Sequence, residues 1–251
     1  MTTLQGKLAM VTGAGGGLGR EIAAQFVAAG ARVLLTDIDG ERVAAAAREL
    51  GPAAAACTLD VADESSWDAA MAAAAALGEL DILVNNAGIL LPGSIEDATL
   101  AQWRQLMRVN ADSVFIGCQR GLRAMKSRGG AIVNIASISS WMPVDGYAAY
   151  GASKASVAAL TRSVALHCRK RGIAVRVNSV HPDGIWTPMM QASAPGVDAA
   201  RLLFDAKANR GGRACTPDKV AQVVHFLASD AASHVSGTEI RVDNAILGYG
   251  L

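Results

Sequence analysis

The chain predicts a doubly wound α/β fold, and three observations point to it. Short apolar runs alternate with helical stretches along all 251 residues. The runs, such as LAMV and RVLLT, show no polar alternation, as strands covered on both faces do not. The first run is followed at once by a glycine-rich turn, TGAGGGLGR. Strands alternating with helices imply parallel pairing through right-handed crossovers. A glycine turn between the first strand and the first helix lets backbone approach a phosphate at the helix N-terminus.

Taken in order, the expected strands are Leu8–Val11, Arg32–Thr36, Ala54–Thr58, Ile82–Val84, Ala131–Ile135, Val175–Val180 and Glu239–Val242. The expected helices are Leu18–Ala29, Glu41–Leu50, Ser65–Leu77, Leu100–Lys126, Tyr150–Lys170 and Pro217–Ala228. The alanine tracts at 44–47 and 72–76 read as helix formers rather than linkers. No domain boundary or internal repeat is visible, so residues 1–251 form a single domain. The longest stretch without an expected strand, 184–216, reads as a lid within it.

Composition narrows the function classes. A hydrophobic fraction of 51% over this length fits one large core. A formal net charge of +1 gives no electrostatic case for nucleic acid or an anionic membrane as partner. The cluster Arg169–Arg171 reads as the solvated end of a helix, where cations suit the dipole. Cys57, Cys118, Cys168 and Cys215 form no CxxC pair and read as reduced, mostly buried thiols of a cytoplasmic protein. His167, His181, His225 and His234 are isolated, so no metal site is expected. The start, MTTLQGKLAM, lacks a charged region followed by a long apolar run, and no segment reaches the roughly 18 apolar residues that span a bilayer.

The nucleotide-binding reading centres on the glycine turn. GxGxxG fails, because its third glycine would fall at Leu18. The spacing that fits is Gly13, Gly17 and Gly19, preceded by Thr12. Asp37 follows the second strand, in the region where a carboxylate binds ribose hydroxyls and repels a 2′-phosphate. Neither Lys nor Arg occupies Ala14, Gly15 or Gly16 to offset it, which favours NAD over NADP. Asp39 competes for the same role, and either acid can instead shape the turn. Asp60 and Val61 follow the third strand, and Asn86, Ala87 and Gly88 follow the fourth. Both loops stand where adenine and ribose are flanked in such sheets.

The chemical signal is YGASK. Tyr150 and Lys154 lie one helical turn apart, and Ser137 precedes the tyrosine by thirteen residues (150 − 137). Residues at i and i+4 share a helix face, so the ammonium can lie beside the phenol and lower its pKa from about 10. A phenol shifted that way exchanges protons with an alcohol near neutral pH. Tyr147 is a second phenol but has Gly151 at i+4; Ser139 and Ser140 are rival hydroxyls, and Ser139 is a helper at the substrate.

With TGAGGGLG, NNAG, Ser137 and YGASK in this order, the whole chain resembles the short-chain dehydrogenase/reductase family, whose members have a Rossmann-type sheet. NNAGILLPG, SVFIGCQ, HPDGIWTPMMQAS, FLASD and NAILGYGL are similar to its bacterial 3β/17β-hydroxysteroid dehydrogenases. The resemblance implies Tyr150 as catalytic acid/base, Lys154 on the nicotinamide ribose, Ser137 on the substrate oxygen and Asn110 holding a water that relays protons to Lys154. It also implies that Pro182 and Asp183 lie near the nicotinamide, and that Ile185 and Thr187 meet its carboxamide. Asp183 stands where many members carry glycine; its carboxylate favours the oxidised ring, or it simply forms an Asp-Gly turn.

The lid is apolar through Trp186, Met189, Met190, Leu202, Leu203 and Phe204, and Leu90, Leu91, Trp141 and Met142 add to the wall. A bulky hydrophobic alcohol or ketone, such as a hydroxysteroid, suits it. The alternatives are a 3-oxoacyl thioester reductase, or a dinucleotide-sensing interaction protein that has no need of the catalytic trio. The resemblance further implies a homotetramer packed through Leu100–Lys126, Tyr150–Lys170 and the end of the chain, where Ala245–Leu251 is apolar.

Overall fold

The computed structural model describes residues 3–193 and 195–249. Met1 and Thr2 of the expected start and Gly250 and Leu251 of the apolar ending lie outside the described residues. The elements run β1 (Leu8–Thr12), α1 (Gly17–Ala28), β2 (Arg32–Asp37), α2 (Gly40–Leu50), β3 (Ala54–Thr58), α3 (Glu64–Leu77) and β4 (Ile82–Asn85). Next come α4 (Leu100–Met107), a π-helical segment (Arg108–Asp112), α5 (Ser113–Met125), β5 (Gly130–Ile135), α6 (Ala148–Arg171) and β6 (Val175–Pro182). The remainder is β7 (Gly184–Ile185), α7 (Pro188–Ser193), α8 (Ala199–Leu202), β8 (Ala214–Cys215), α9 (Pro217–Ala228) and β9 (Glu239–Val242).

Seven parallel strands form one sheet in the order β3-β2-β1-β4-β5-β6-β9. The order reverses between β1 and β4, and the crevice outside the carboxyl ends there is where such sheets bind ligands. Alternation along β1 shows how both faces are covered. Ala9 and Val11 join Ile22, Phe26, Val220 and Val224 on one side; Leu8 and Met10 join Trp67, Val114 and Met125 on the other. All seven expected strands are present. The edge strand β3 is only half-covered, as its position dictates.

Helix ends follow the local chemistry. Asp39 caps α2 through the Arg42 amide, Asp63 caps α3, and Thr99 with Gln102 forms a capping box on α4. Gly172 ends α6 in the left-handed region, and Arg169–Arg171 fill its last turn, exposed as expected.

Two expectations are corrected. The helix expected over Leu100–Lys126 is divided by the π-helical segment, whose wider turns re-aim Asn110 inward. The stretch 184–216 does contain strands: β7 pairs with β8 in parallel and joins the two ends of the lid.

A buried amide network docks α6 and α5 onto the sheet. Asn85 Nδ2 donates to Asn134 Oδ1 at 2.8 Å, and Asn134 Nδ2 donates to Thr161 Oγ1 at 2.9 Å. Gly117 of α5 lies over this network; a Cβ there would press on Asn85 Oδ1 and lie 2.8 Å from the Trp67 ring. Gly117→Ala is therefore expected to cost about 1–3 kcal/mol of stability. Urea denaturation checks this, and an unchanged midpoint would show that the α5–β4 contact yields freely.

Candidate active site

The carboxyl ends of the central strands open onto a cleft of about 750 Å³, within the usual range for a small-molecule site. A groove of about 840 Å³ lies at the opposite edge of the sheet, lined by Arg128, Arg162, Arg169 and Arg176 among others. No residue expected at the site lines that groove.

The glycine turn delivers the start of α1 to the cleft. Gly16 precedes α1 in extended conformation with no side-chain cap, and the first turn carries no acid. Its amides are thus open to an anion. Gly13, Gly17, Leu18 and Gly19 line the cleft. Gly19 is required by packing: a Cβ would collide with the Gly13 carbonyl and lie 2.6 Å from Asn86 Nδ2. Thr12 does not line the cleft. Its buried hydroxyl accepts from the Asn86 and Ala87 amides, both at 3.0 Å, and clamps the β4 loop against β1. Ala87 likewise contributes through this clamp, whereas Asn86 and Gly88 reach the cleft.

Asp37 is buried at the cleft wall. Its Oδ2 accepts from the Gly15 amide at 3.0 Å, and its Oδ1 accepts from the Asp39 amide at 3.1 Å and from Arg42 Nη2 at 3.2 Å. Asp39 is the cap of α2, which separates the two acids expected to compete. The glycine turn carries no cation at Ala14, Gly15 or Gly16, but Arg42 offsets Asp37 from elsewhere. It stands in the first turn of α2 and also lines the cleft, five residues beyond the acid. Arg108 and Gln105 are further lining residues that the sequence did not single out. Asp60 and Val61 line the cleft; Asp60 Oδ1 accepts from the Ala62 amide at 2.9 Å and Val61 O from Trp67 Nε1 at 2.9 Å, which fixes that loop.

Ser137, Ser139, Tyr150 and Lys154 converge on one wall. Ser137 follows β5 and caps a short 3₁₀ turn, accepting from the Ser139 amide at 3.1 Å and donating to Ser139 Oγ at 3.2 Å. Its side chain also hydrogen-bonds Tyr150. Ser140 instead is half-buried outside the cleft lining, its hydroxyl buried and without a hydrogen-bond partner. Tyr147 also lines the cleft.

Lys154 is buried, and its Nζ donates to the Ile135 carbonyl at 3.0 Å. The ammonium lies 5.9 Å from the centre of the Tyr150 ring. Burial lowers the Lys154 pKa to about 8. For Tyr150, burial pushes the phenol above its ordinary value, and the bond from Ser137 opposes this. The depression expected from Lys154 is not the larger effect here: the ammonium gives one hydrogen bond to Ile135, and desolvation of the phenol outweighs it.

Asn110 stands behind Gly88 rather than in the cleft. Its Oδ1 accepts from the Ile89 amide at 2.8 Å, and its Nδ2 donates to the Ile89 carbonyl at 2.9 Å and to Ser153 Oγ at 3.1 Å. A Cβ on Gly88 would lie 3.2 Å from Asn110 Oδ1 and 3.3 Å from Lys154 Nζ, so the two groups meet across that glycine.

Pro182, Asp183, Ile185 and Thr187 line the cleft at the end of β6. Both oxygens of Asp183 are held by Arg213, Nε to Oδ2 and Nη2 to Oδ1, each at 3.0 Å. Asp183 thus ties the base of the lid to β8, which neither the turn reading nor the ring-charge reading anticipated. Leu90, Met189 and Met190 line the cleft as expected. Trp141 and Trp186 do not. Trp141 is stacked on His181, with centroids 4.4 Å apart and planes 14° apart. Trp186, just past β7, is half-buried outside the cleft lining. Among the described residues there is no cluster of acids, cysteines or histidines able to hold a metal.

Residues 13–246 match the profile of the family described as enoyl-(acyl carrier protein) reductase. The chain is 53% identical over 250 residues to 3-beta-hydroxysteroid dehydrogenase of Comamonas testosteroni, covering 99% of this chain and 98% of that protein. It is 40% identical over 242 residues to 3-alpha-(or 20-beta)-hydroxysteroid dehydrogenase of Mycobacterium tuberculosis, covering 96% and 89%. Its fold is similar to the crystal structure of 3-ketoacyl-(acyl-carrier-protein) reductase from Brucella melitensis complexed with NADH, with a TM-score of 0.84, 30% identity, and coverage of 96% and 98%.

The Lys154 shift has a consequence for stability. The folded pKa of about 8 lies below the unfolded value, so the unfolded chain binds more protons between about pH 8 and 10.4 and stability rises with pH across that window. Urea titrations from pH 7.5 to 10.5 are expected to show that rise, and Lys154→Met is expected to remove it. Parallel curves for the two proteins would contradict a buried, weakened ammonium.

Proposed function

The chain belongs to the short-chain dehydrogenase/reductase family and is an oxidoreductase; from that premise we propose that it interconverts hydroxysteroids, or similarly bulky cyclic secondary alcohols, with their ketones using NAD. The observation that carries the reading is the convergence of Ser137, Tyr150 and Lys154 on one wall of a cleft whose other end is the uncapped start of α1. The donor set fits a dinucleotide: open amides for the pyrophosphate, Asp37 for a ribose, and Pro182, Ile185 and Thr187 for the nicotinamide end. When bound, that group accepts or returns a hydride at the carbinol carbon.

The chain's own residues handle the proton. Ser137 donates a hydrogen bond to the substrate oxygen and orients it. Tyr150 gives a proton to the carbonyl oxygen in reduction and takes it from the hydroxyl in oxidation. Because burial raises the phenol's pKa, its resting form near neutral pH is protonated and suited to donation. Oxidation needs the phenolate, which the Lys154 charge favours. Lys154 holds the ribose beside the phenol, and Asn110, across Gly88, holds a water leading from Lys154 toward solvent.

The steroid reading rests on the 53% identical relative and on the apolar side chains of Leu90, Met189 and Met190 in the cleft. A 3-oxoacyl thioester reductase is the second reading, favoured by the similar fold of the ketoacyl reductase. Dinucleotide sensing without turnover gives no use for the assembled trio. Leu100, Trp103 and Phe115 on α4 and α5 and Leu166 on α6 are exposed, which supports a homotetramer packed through these helices. No helix among the described residues is long and apolar enough to cross a membrane, and a cytoplasmic site is part of the same reading.

An oxidation panel with NAD⁺, spanning steroid 3β- and 17β-alcohols, small cyclic alcohols and a 3-hydroxyacyl thioester, is expected to give its highest kcat/KM with a steroid. Preference for the thioester would transfer the assignment to the second reading. With the best substrate, Tyr150→Phe is expected to lose at least about 10² in kcat with NAD⁺ affinity retained, along with the rise of oxidation rate at alkaline pH. Near-normal turnover would remove Tyr150 from its role. Asp37→Ala is expected to raise the NADP/NAD ratio of kcat/KM, because it unpairs Arg42 for a 2′-phosphate; Asp37→Ala/Arg42→Ala is expected to lose most of that gain. A ratio that does not move in the single variant would show that Asp37 is not the discriminator.

A further inference from the structure

We propose that His181 is a positioning residue for Ser137: its Nδ1 donates to the Ser137 carbonyl at 3.1 Å and fixes the peptide that aims the serine hydroxyl. The inference deepens the proposed alcohol–ketone chemistry and rests on it. His181 is fully buried at the end of β6, beside the end of β5. Both ring nitrogens and one face have partners. Nε2 meets Ser179 Oγ at 2.8 Å, Glu239 Oε2 lies 3.7 Å from the same nitrogen, and Trp141 covers the face.

The proton positions follow from the partners. A carbonyl can only accept, so Nδ1 carries the hydrogen; Nε2 then accepts from the Ser179 hydroxyl. Burial lowers the His181 pKa to about 4, so the ring stays neutral in this one tautomer at working pH. The Ser137 carbonyl receives a second donor, the Ser140 amide at 3.0 Å. Two donors from separate elements hold the peptide plane, while Ser139 holds the hydroxyl from the other side. Trp141 ends the same 3₁₀ turn, so the imidazole grips both ends of the segment 137–141. A hydroxyl that must meet a substrate oxygen tolerates little displacement; an error of about 1 Å can cost 10² in rate.

The test separates the hydrogen bond from the packing. His181→Phe keeps a flat ring under Trp141 and removes the donor. His181→Asn keeps a donor near the Nδ1 position and removes the ring. With NAD⁺ and a steroid 3β-alcohol, or the best alcohol of the panel if that is not oxidised, His181→Phe is expected to lose roughly tenfold or more in kcat. Its NAD⁺ affinity is expected to stay within about twofold of the parent's, since the residue acts through Ser137. His181→Asn is expected to recover most of the lost kcat even where its melting temperature is lower. Ser137→Ala serves as the control for the underlying reading. If Ser137→Ala is slow while His181→Phe turns over normally, the positioning role is refuted and the site reading stands. If Ser137→Ala itself is normal, both fail. Equal losses in His181→Phe and His181→Asn that follow thermal stability would reduce His181 to a packing residue and overturn the proposal.

Discussion

One hydrogen bond sets the distance between the two elements that bring Ser137 and Tyr150 to the cleft. The Lys154 ammonium on α6 reaches the Ile135 carbonyl at the carboxyl end of β5. Ser137 follows that carbonyl by two residues, and Tyr150 precedes the lysine by one turn of the helix. A charge buried this deeply costs free energy unless it is paired, and a single carbonyl only partly offsets the loss of water. The fold tolerates the cost because β4, β5 and α6 are already locked together beneath it through Asn85, Asn134 and Thr161.

Much of this was legible in the sequence, for a physical reason. Strands covered on both faces must be apolar throughout, so Leu8–Val11 and Arg32–Thr36 declare themselves and extend in the structure by one residue, to Thr12 and Asp37. The glycine turn and YGASK are local, and local geometry follows from spacing. What was missed depends on groups far apart in the chain or on competition between neighbours. Asp183 and Arg213 are thirty residues apart (213 − 183). His181 looked isolated because its partners Ser137 and Trp141 come from one distant segment and Glu239 from another. The i,i+4 rule correctly brought Lys154 near Tyr150 but could not reveal that Ile135 would claim the ammonium. A π-helical turn adds a residue within an otherwise continuous pattern, so Leu100–Lys126 gave no sign of the break at Arg108–Asp112.

The acid at the end of β2 illustrates why a residue's type is not its electrostatics. Asp37 keeps its carboxylate against the cleft, yet Arg42 and two amides share its charge. The field that meets a ribose there is that of the cluster. Reading specificity from the acid alone neglects a cation that is half-exposed and free to rotate away.

The paired ends of the lid have an evolutionary corollary. With β7 zipped to β8 and a bidentate ion pair beside them, the intervening loop leaves and re-enters the scaffold at a fixed doorway. Most of the entropy of closing that loop is met by its neck, and the remaining cost grows only slowly with length. Segments of different length and character can therefore be exchanged above the neck while the proton-handling wall below stays undisturbed. Such an exchangeable insert lets one frame carry differently shaped loops without rebuilding the floor beneath them.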